Sequence, residues 1–326
     1  MLPVTPDDVR AAWARIHRHV VRTPLTLSPA LSERAGVEIA LKQENRQHTG
    51  SFKPRGALNK ILTVERNLWA AKGFCAASAG NHALGVAYAC ETLGNPRGHV
   101  FVQGNASPAK LAKLRRTKVE LTLVGETFEA AQAAAIAHAK KYGTIFISAY
   151  DDPAVVAGQG TTGLEIVDEA GRIDTVVVPT GGGALLAGIA VAVKDQSPKT
   201  RIVGVNPEAS PSAKRSLAEG KALDPFEHAP TLAHGLAGGF GKIGFEIAQQ
   251  LVDEIVLVSE KEMADATAAL VDAEQIVAEP SGIAALAAVL FGKIKPKGRT
   301  IVVLSGGNVD AATLAQVLTR GTTSEH

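Results

Sequence analysis

Thr175-Val176-Val177-Val178-Pro179-Thr180-Gly181-Gly182-Gly183-Ala184 is the stretch that decides the fold class. An apolar run over 175–178 stops at a glycine turn, and a helical pattern of Ala, Leu, Ile and Val follows over 184–194. A strand apolar on both faces is a strand covered on both faces, the condition inside a parallel sheet. Strand, glycine turn and helix in that order put the turn at the carboxyl end of a strand, where open parallel sheets bind their ligands. The first N–H groups of the helix would draw an anion, so the turn is a candidate phosphate cradle. A turn needed only for backbone shape reads the same way, and the stretch alone leaves both open.

Working outward, two more junctions have this form. A short strand over 73–77 breaks at Ser78-Ala79-Gly80-Asn81-His82 before a helix over 83–92, and a strand over 300–304 ends in Ser305-Gly306-Gly307-Asn308. Further strands are expected over 38–42, 99–102, 119–124, 144–149, 201–205 and 255–258. Helices are expected from the cap Thr5-Pro6-Asp7-Asp8 to about 21, over 56–71, from Ser107-Pro108 to 116, and over 128–142, 163–170 and 280–291. Ser259-Glu260-Lys261-Glu262 is a capping box opening one more. The least regular stretch is 208–237. Strands alternating with helices throughout predict parallel sheets with helices on their faces.

The 326 residues make about two domains. Hydrophobic residues at 46% and charged ones at 20% allow a large core. A net charge of +2 with no basic block gives nothing to grip nucleic acid. Cys75 and Cys90 form no Cys-x-x-Cys pair, so a reducing cytoplasm is expected. The N-terminal residues have no basic start and no apolar run of a signal peptide, and the longest apolar runs are too short to span a membrane. His17 and His19 fall on different faces of one helix, which argues against a shared metal. Gly158-Gln159-Gly160-Thr161-Thr162-Gly163 matches the dinucleotide fingerprint letter for letter, but residues 150–157 separate it from the preceding strand. A nicotinamide enzyme or a non-catalytic ligand-binding protein therefore stands only as a rival reading.

The chemistry-bearing candidate is Lys53, in Ser51-Phe52-Lys53-Pro54-Arg55-Gly56-Ala57. A lysine can hold an aldehyde covalently only as a free amine. Phe52 supplies an apolar neighbour, Arg55 a like charge, and Pro54 a bias away from helical geometry. Taken by itself, Lys53 reads first as a solvated surface charge.

With these motifs in order, the chain resembles the serine/threonine dehydratase family of pyridoxal-phosphate enzymes, fold type II, the tryptophan synthase β family, nearly end to end. The resemblance implies two three-layer α/β/α domains with mostly parallel sheets, residues 1–72 with 149–326 as the large domain and 73–148 as the small one, and an active site in the cleft between them. It implies Lys53 as the Schiff-base lysine and as the base at the substrate Cα. Pyridoxal phosphate would be held by Phe52, Lys53, Asn81 at the 3-oxygen, the phosphate cup Gly181, Gly182, Gly183, Ala184 and Leu185, Gly235 along the ring, and Ser305 at the ring nitrogen. Ser305, unlike a carboxylate, does not keep that nitrogen protonated, which suits elimination over transamination. Ser78, Ala79, Gly80, Asn81 and His82 would meet the substrate carboxylate, with His82 alternatively capping its helix.

The implied activity is that of a lyase: α,β-elimination from an L-threonine or L-serine type β-hydroxy amino acid, releasing ammonia and a 2-keto acid, in a cytoplasmic homodimer or homotetramer. Departures from the family pattern shape the expectation. Ala184 replaces a fourth glycine, but its N–H is retained. Ala79 stands where racemases of the family carry a second catalytic serine, which favours elimination over a serine or other amino-acid racemase. Asn206 and Ser212 stand where the family's cation-binding acids are expected, so no metal site is predicted. His234 replaces a common Asp and would either tune the substrate pocket or satisfy a backbone carbonyl; 3-hydroxyaspartate or phenylserine are therefore alternative substrates. The chain ends soon after its last helix, at Thr322-Thr323-Ser324-Glu325-His326, so no regulatory extension is expected.

Overall fold

The strands divide into two sheets, and the division follows the chain. The computed structural model describes residues 1–94 and 96–322; Thr323, Ser324, Glu325 and His326 lie outside the described residues. In chain order the strands are β1 (Leu25–Leu27), β2 (Ile39–Gln43), β3 (Phe74–Ala77), β4 (Gly98–Val102), β5 (Glu120–Leu123), β6 (Ile145–Phe146), β7 (Thr175–Pro179), β8 (Arg201–Pro207), β9 (Glu254–Val258) and β10 (Thr300–Leu304). The larger sheet has the order β1-β2-β10-β7-β8-β9 and the smaller β5-β4-β3-β6. Every pairing is parallel except β1 with β2. In the larger sheet β10 lies between β2 and β7, with Thr300 opposite both Ile39 and Thr175. The apolar strands β2, β7 and β10 are buried along their whole length, as strands covered on both faces must be.

Tertiary contacts reshaped several predicted helices. The first is capped by Thr5 and Asp8 as expected but ends at Ile16, not near 21. Beyond it, the Gln47 side chain takes both backbone groups of Val21, accepting from its N–H at 2.9 Å and donating to its carbonyl at 2.8 Å. The helix predicted over 56–71 is two, Lys53–Leu62 and Arg66–Lys72, parted where the β-branched Thr63 and Val64 fall together. Lys53 and Pro54 are inside the first turn of the former, where proline's missing N–H does no harm. The elements β1, Pro29–Ala35, Ser212–Glu219, Lys242–Leu251 and Ala311–Thr322 were not predicted. Ser212–Glu219 lies in the stretch read as irregular.

The dinucleotide fingerprint has a structural use instead. Asp152 Oδ1 accepts from the N–H groups of Ala154 and Val155 and starts the helix Pro153–Ala170, ten residues before the predicted start at 163. Gly158, Gly160 and Gly163 are therefore mid-helix, with their N–H groups inside the ladder, and cradle no phosphate. A Cβ on Gly158 would stand 2.6 Å from the Arg55 carbonyl, and one on Gly160 2.9 Å from that of Gly188. The glycines let this helix press against Lys53–Leu62 and Ala184–Gln196.

One apolar cluster joins the smaller sheet to the helices that flank it. It contains Val9, Ile16, Leu58 and Ile61 together with Phe74, Val86 and Ile147. The helix carrying Lys53 is thus packed on one side by elements of the smaller sheet, and Gly85 of the helix Asn81–Thr92 comes so close that a Cβ would lie 2.9 Å from the Lys53 carbonyl carbon.

Candidate active site

The carboxyl ends of β3, β7 and β10 face a common cleft with the start of the Lys53–Leu62 helix. Ser51 bridges to Gly306, and Phe52 N–H donates to the Ser305 carbonyl at 3.2 Å, so the turn after β10 holds the lysine's segment in place. Lys53 is partly buried. Its Nζ donates to the Ala149 carbonyl at 2.8 Å and lies 4.9 Å from the centre of the Phe52 ring. Burial lowers its pKa to about 8, with Glu279 opposing the shift.

Arg55 has no part in that lowering, contrary to the local reading. It is fully buried beneath the helix, its guanidinium held by Glu44 at 2.8 Å and Glu165 at 2.7 Å, while Lys42 Nζ reaches Glu165 at 2.7 Å. Two cations and two carboxylates cancel. Burial opposes the charge on Arg55, but Glu44 and Glu165 outweigh it and raise its pKa.

The turn after β7 is built by exclusion. Gly183 has φ +97°, a conformation in which L side chains are strained. A Cβ on Gly183 would stand 2.6 Å from the Phe240 ring, one on Gly182 would clash with the Tyr150 side chain at Cγ, and one on Gly181 would lie 2.9 Å from the Gly235 carbonyl. The following helix, Ala184–Gln196, has no side-chain cap, so the N–H groups of its first turn, at Ala184 and Leu185, remain free for an anion. Tyr150, next to the carbonyl that accepts from Lys53, links this turn to the lysine. Its hydroxyl bonds Asp224 at 3.0 Å.

The turn after β3 completes the cleft. Gly80 faces open space, with no atom within 4 Å of where a Cβ would stand. Ser78 Oγ accepts from Gly80 N–H at 3.0 Å, and Ala79 is partly buried beside them. Asn81 opens the helix Asn81–Thr92; its Nδ2 donates to Glu279 at 2.6 Å and its Oδ1 accepts from Asn308 at 2.8 Å. Burial raises the Glu279 pKa to about 7.

Two predicted residues depart from their expected places. His82 is buried, and its Nε2 lies 2.9 Å from the Ile147 carbonyl. Burial, then Lys53, lowers its pKa to about 3, so the ring is neutral and donates to that carbonyl. It offers the cleft a backbone N–H, not a charged carboxylate ligand. His234 is exposed, and among the described residues no backbone carbonyl takes a hydrogen bond from it, which removes the structural role offered for it. Its neighbour Gly235 is fixed by Ser281 Oγ, which accepts from its N–H at 2.8 Å. Glu279, Asn308 and Tyr150 went unassigned in the sequence. An acid before Pro280 reads as an ordinary helix cap, and nothing local shows that Glu279 turns instead toward Asn81.

A family model described as "Pyridoxal-phosphate dependent enzyme" matches residues 16–306. The chain belongs to the pyridoxal-phosphate-dependent enzymes. Within them it falls in the serine/threonine dehydratase-like, fold type II group. It is 41% identical to an "L-threonine ammonia-lyase" of Thermotoga maritima over 98% of this chain and 79% of that protein. It is 40% identical to the "L-threonine dehydratase catabolic TdcB" of Escherichia coli K12 over 97% and 96%. A solved "Threonine deaminase", from the organism abbreviated T.th., superposes with a TM-score of 0.88 at 40% identity, covering 94% of this chain and 99% of that one.

The residues fit the cofactor of this family. An uncapped helix start behind a turn that admits only glycine suits a phosphate, and a lysine of lowered pKa within the same cleft suits an aldehyde. The cation site expected from the family pattern has no fit. Asn206 Nδ2 donates to the Thr180 carbonyl at 2.6 Å and its Oδ1 accepts from Lys214 N–H, so the amide itself joins the groups there. No metal-holding cluster of His, Cys, Asp or Glu occurs among the described residues.

Proposed function

We infer that the physiological substrate of this pyridoxal-phosphate-dependent ammonia-lyase, a β-hydroxy amino acid dehydratase, is L-threonine, with L-serine as a second substrate. The observation that carries the lyase reading is Lys53, its pKa lowered by burial to about 8, between a glycine turn suited to phosphate and the loop 78–82. The 40–41% identity to a threonine dehydratase and a threonine ammonia-lyase over nearly the whole chain supports threonine. Lys53, Phe52, Asn81, Gly181, Gly182, Gly183, Ala184, Leu185, Gly235 and Ser305 are the residues proposed to hold the cofactor.

When bound, the cofactor withdraws electrons from the substrate Cα. Lys53 anchors it, and its freed amine takes the proton from that Cα. That proton would leave with the Cβ hydroxyl as water; the enamine so formed takes a proton from solvent at Cβ, and water then hydrolyses the imine at Cα, giving the 2-keto acid and ammonia. Ser78, held by the Gly80 N–H, and the backbone N–H groups of Asn81 and His82 orient the substrate carboxylate. Ala79 offers no acid on the opposite face, so the proton is not returned there and racemisation is disfavoured.

The unit 73–148, built on the smaller sheet, is proposed as a small domain set against residues 1–72 and 149–326. We place the enzyme in the cytoplasm, which its two free, buried cysteines support; no helix among the described residues is long and apolar enough to cross a membrane. A homodimer or homotetramer would cover exposed apolar residues such as Leu27 and Tyr142.

A second reading, 3-hydroxyaspartate dehydration, is favoured only by His234, a weakly basic ring exposed beside Gly235. Keto acid and ammonia measured with threonine, serine, both 3-hydroxyaspartate diastereomers and phenylserine decide between them. Threonine is expected to give the highest kcat/KM. No keto acid from threonine or serine would end the first reading.

A further inference from the structure

Glu279 belongs to none of the motifs above, yet it lies between the turns after β3 and β10. It stands at the N-cap of the helix Pro280–Leu290, and its side chain does not cap. The backbone N–H of Glu279 donates to the Gly306 carbonyl at 3.0 Å. Its Oε1 fills the space a Cβ at Gly306 would need and accepts from Asn81 Nδ2 at 2.6 Å. We propose that Glu279 is a positioning residue of the reaction: its carboxylate fixes the Asn81 amide in one orientation and sets a negative charge in the field of the Lys53 amine.

The hydrogen-bond pattern allows only one arrangement. Asn308 Nδ2 donates both to the Thr49 carbonyl at 2.6 Å and to Asn81 Oδ1 at 2.8 Å, so its own amide cannot turn over. A flipped Asn81 would then set its oxygen against the Glu279 carboxylate and its NH2 against the Asn308 donor, two repulsions in place of two bonds. Held this way, Asn81 keeps a second N–H that no group among the described residues takes, free for a ligand in the cleft. Burial raises Glu279, and Asn81, Lys110, Lys113 and Lys53 act against that rise. Lys53 in turn is lowered by burial and raised by Glu279. Glu279 therefore gains its charge through neutrality, and that charge favours the protonated form of Lys53. Removing it should lower the Lys53 pKa.

The inference rests on Lys53 and Asn81 being the cofactor-side residues, and the test separates the two. In the apoprotein, acylation of Lys53 by an amine-reactive reagent is followed by peptide mass spectrometry across pH. Pyridoxal phosphate affinity is measured by equilibrium dialysis, and kcat and KM are taken across pH on the holoenzyme. Glu279→Gln is expected to lower the Lys53 midpoint by about half a unit. It is also expected to weaken cofactor binding about tenfold, the worth of one charged hydrogen bond, and to flatten the acid limb of kcat near pH 7. Glu279→Asp should restore part of each. Asn308→Ala should weaken cofactor binding while leaving the Lys53 midpoint in place, because it frees the amide without removing the charge. A folded Glu279→Gln protein with unchanged Lys53 midpoint and unchanged cofactor affinity overturns the proposal; if that variant does not fold, the aspartate and Asn308 variants decide it. Failure of borohydride to fix the cofactor to Lys53 in the wild-type protein would overturn the underlying assignment instead.

Discussion

Lys42 and Lys53 are inward-facing lysines close together in the chain, and they have opposite fates. Lys42 has no exposed side-chain surface; its Nζ donates to Glu165 at 2.7 Å and to the Thr23 carbonyl at 2.6 Å. It shares Glu165 with Arg55, which also meets Glu44. In the cleft on the other side of the same helix start, Lys53 has a neutral carbonyl and an aromatic ring for neighbours. A buried charge bonded directly to its counter-charge serves the fold; Lys53, whose direct partners are neutral, is pushed by burial toward the neutral amine that chemistry needs, with Glu279 only partly opposing. The contrast also shows why Arg55, two residues from Lys53, does not perturb it: its charge is cancelled on the spot.

The contrast can be broken at either end. Lys53→Ala should cost the largest effect, a loss of at least about a thousandfold in keto-acid production, with no aldehyde absorbance retained and the thermal unfolding midpoint nearly unchanged. A Lys53→Ala protein with substantial activity would dissolve the distinction. Arg55→Leu should do the reverse in kind: it strands Glu44 and leaves Glu165 to Lys42 alone, and unfolding in urea should show about 3–5 kcal/mol of lost stability. A change below about 1 kcal/mol would mean that the four charges are not coupled as drawn.

A pH series on the apoprotein sharpens the comparison. The Lys53 pKa is lowered in the fold, so the unfolded chain holds its proton longer. Stability from this group is present above the ordinary lysine range and is lost as pH falls through about 8. The wild type should therefore gain stability relative to Lys53→Met as pH rises from 8 toward 10. The smallest effect is expected at Ala79. Ala79→Ser places a hydroxyl in the loop that lacks one, and D-serine should form at roughly a hundredth of the keto-acid rate, read by chiral chromatography.

Much of this was legible in the chain. Apolar strands running into glycine turns, and helices between them, specified parallel α/β layers, because strand burial on two faces and helix capping are local requirements. The same turns, in order, with the lysine segment ahead of them, pointed to the cofactor and to its cup. Less legible were the helix ends near Val21 and Thr63 and the start at Asp152: Gln47 reaches Val21 from another segment, while crowding and nearby side chains settle the other two.

What the sequence by itself determined is the class of fold, and through its motifs in order the family; Lys53 as the cofactor lysine is the proposal those motifs carry. Only the tertiary structure decided which charges matter. Glu165 reaches Arg55 from far along the chain, Glu279 reaches Asn81 from farther still, and His82 is claimed by Ile147. Electrostatic effects fall with distance in space, not along the chain, and burial sets their strength. A neighbour two residues away can therefore count for nothing, while a carboxylate from the other end of the molecule governs the site.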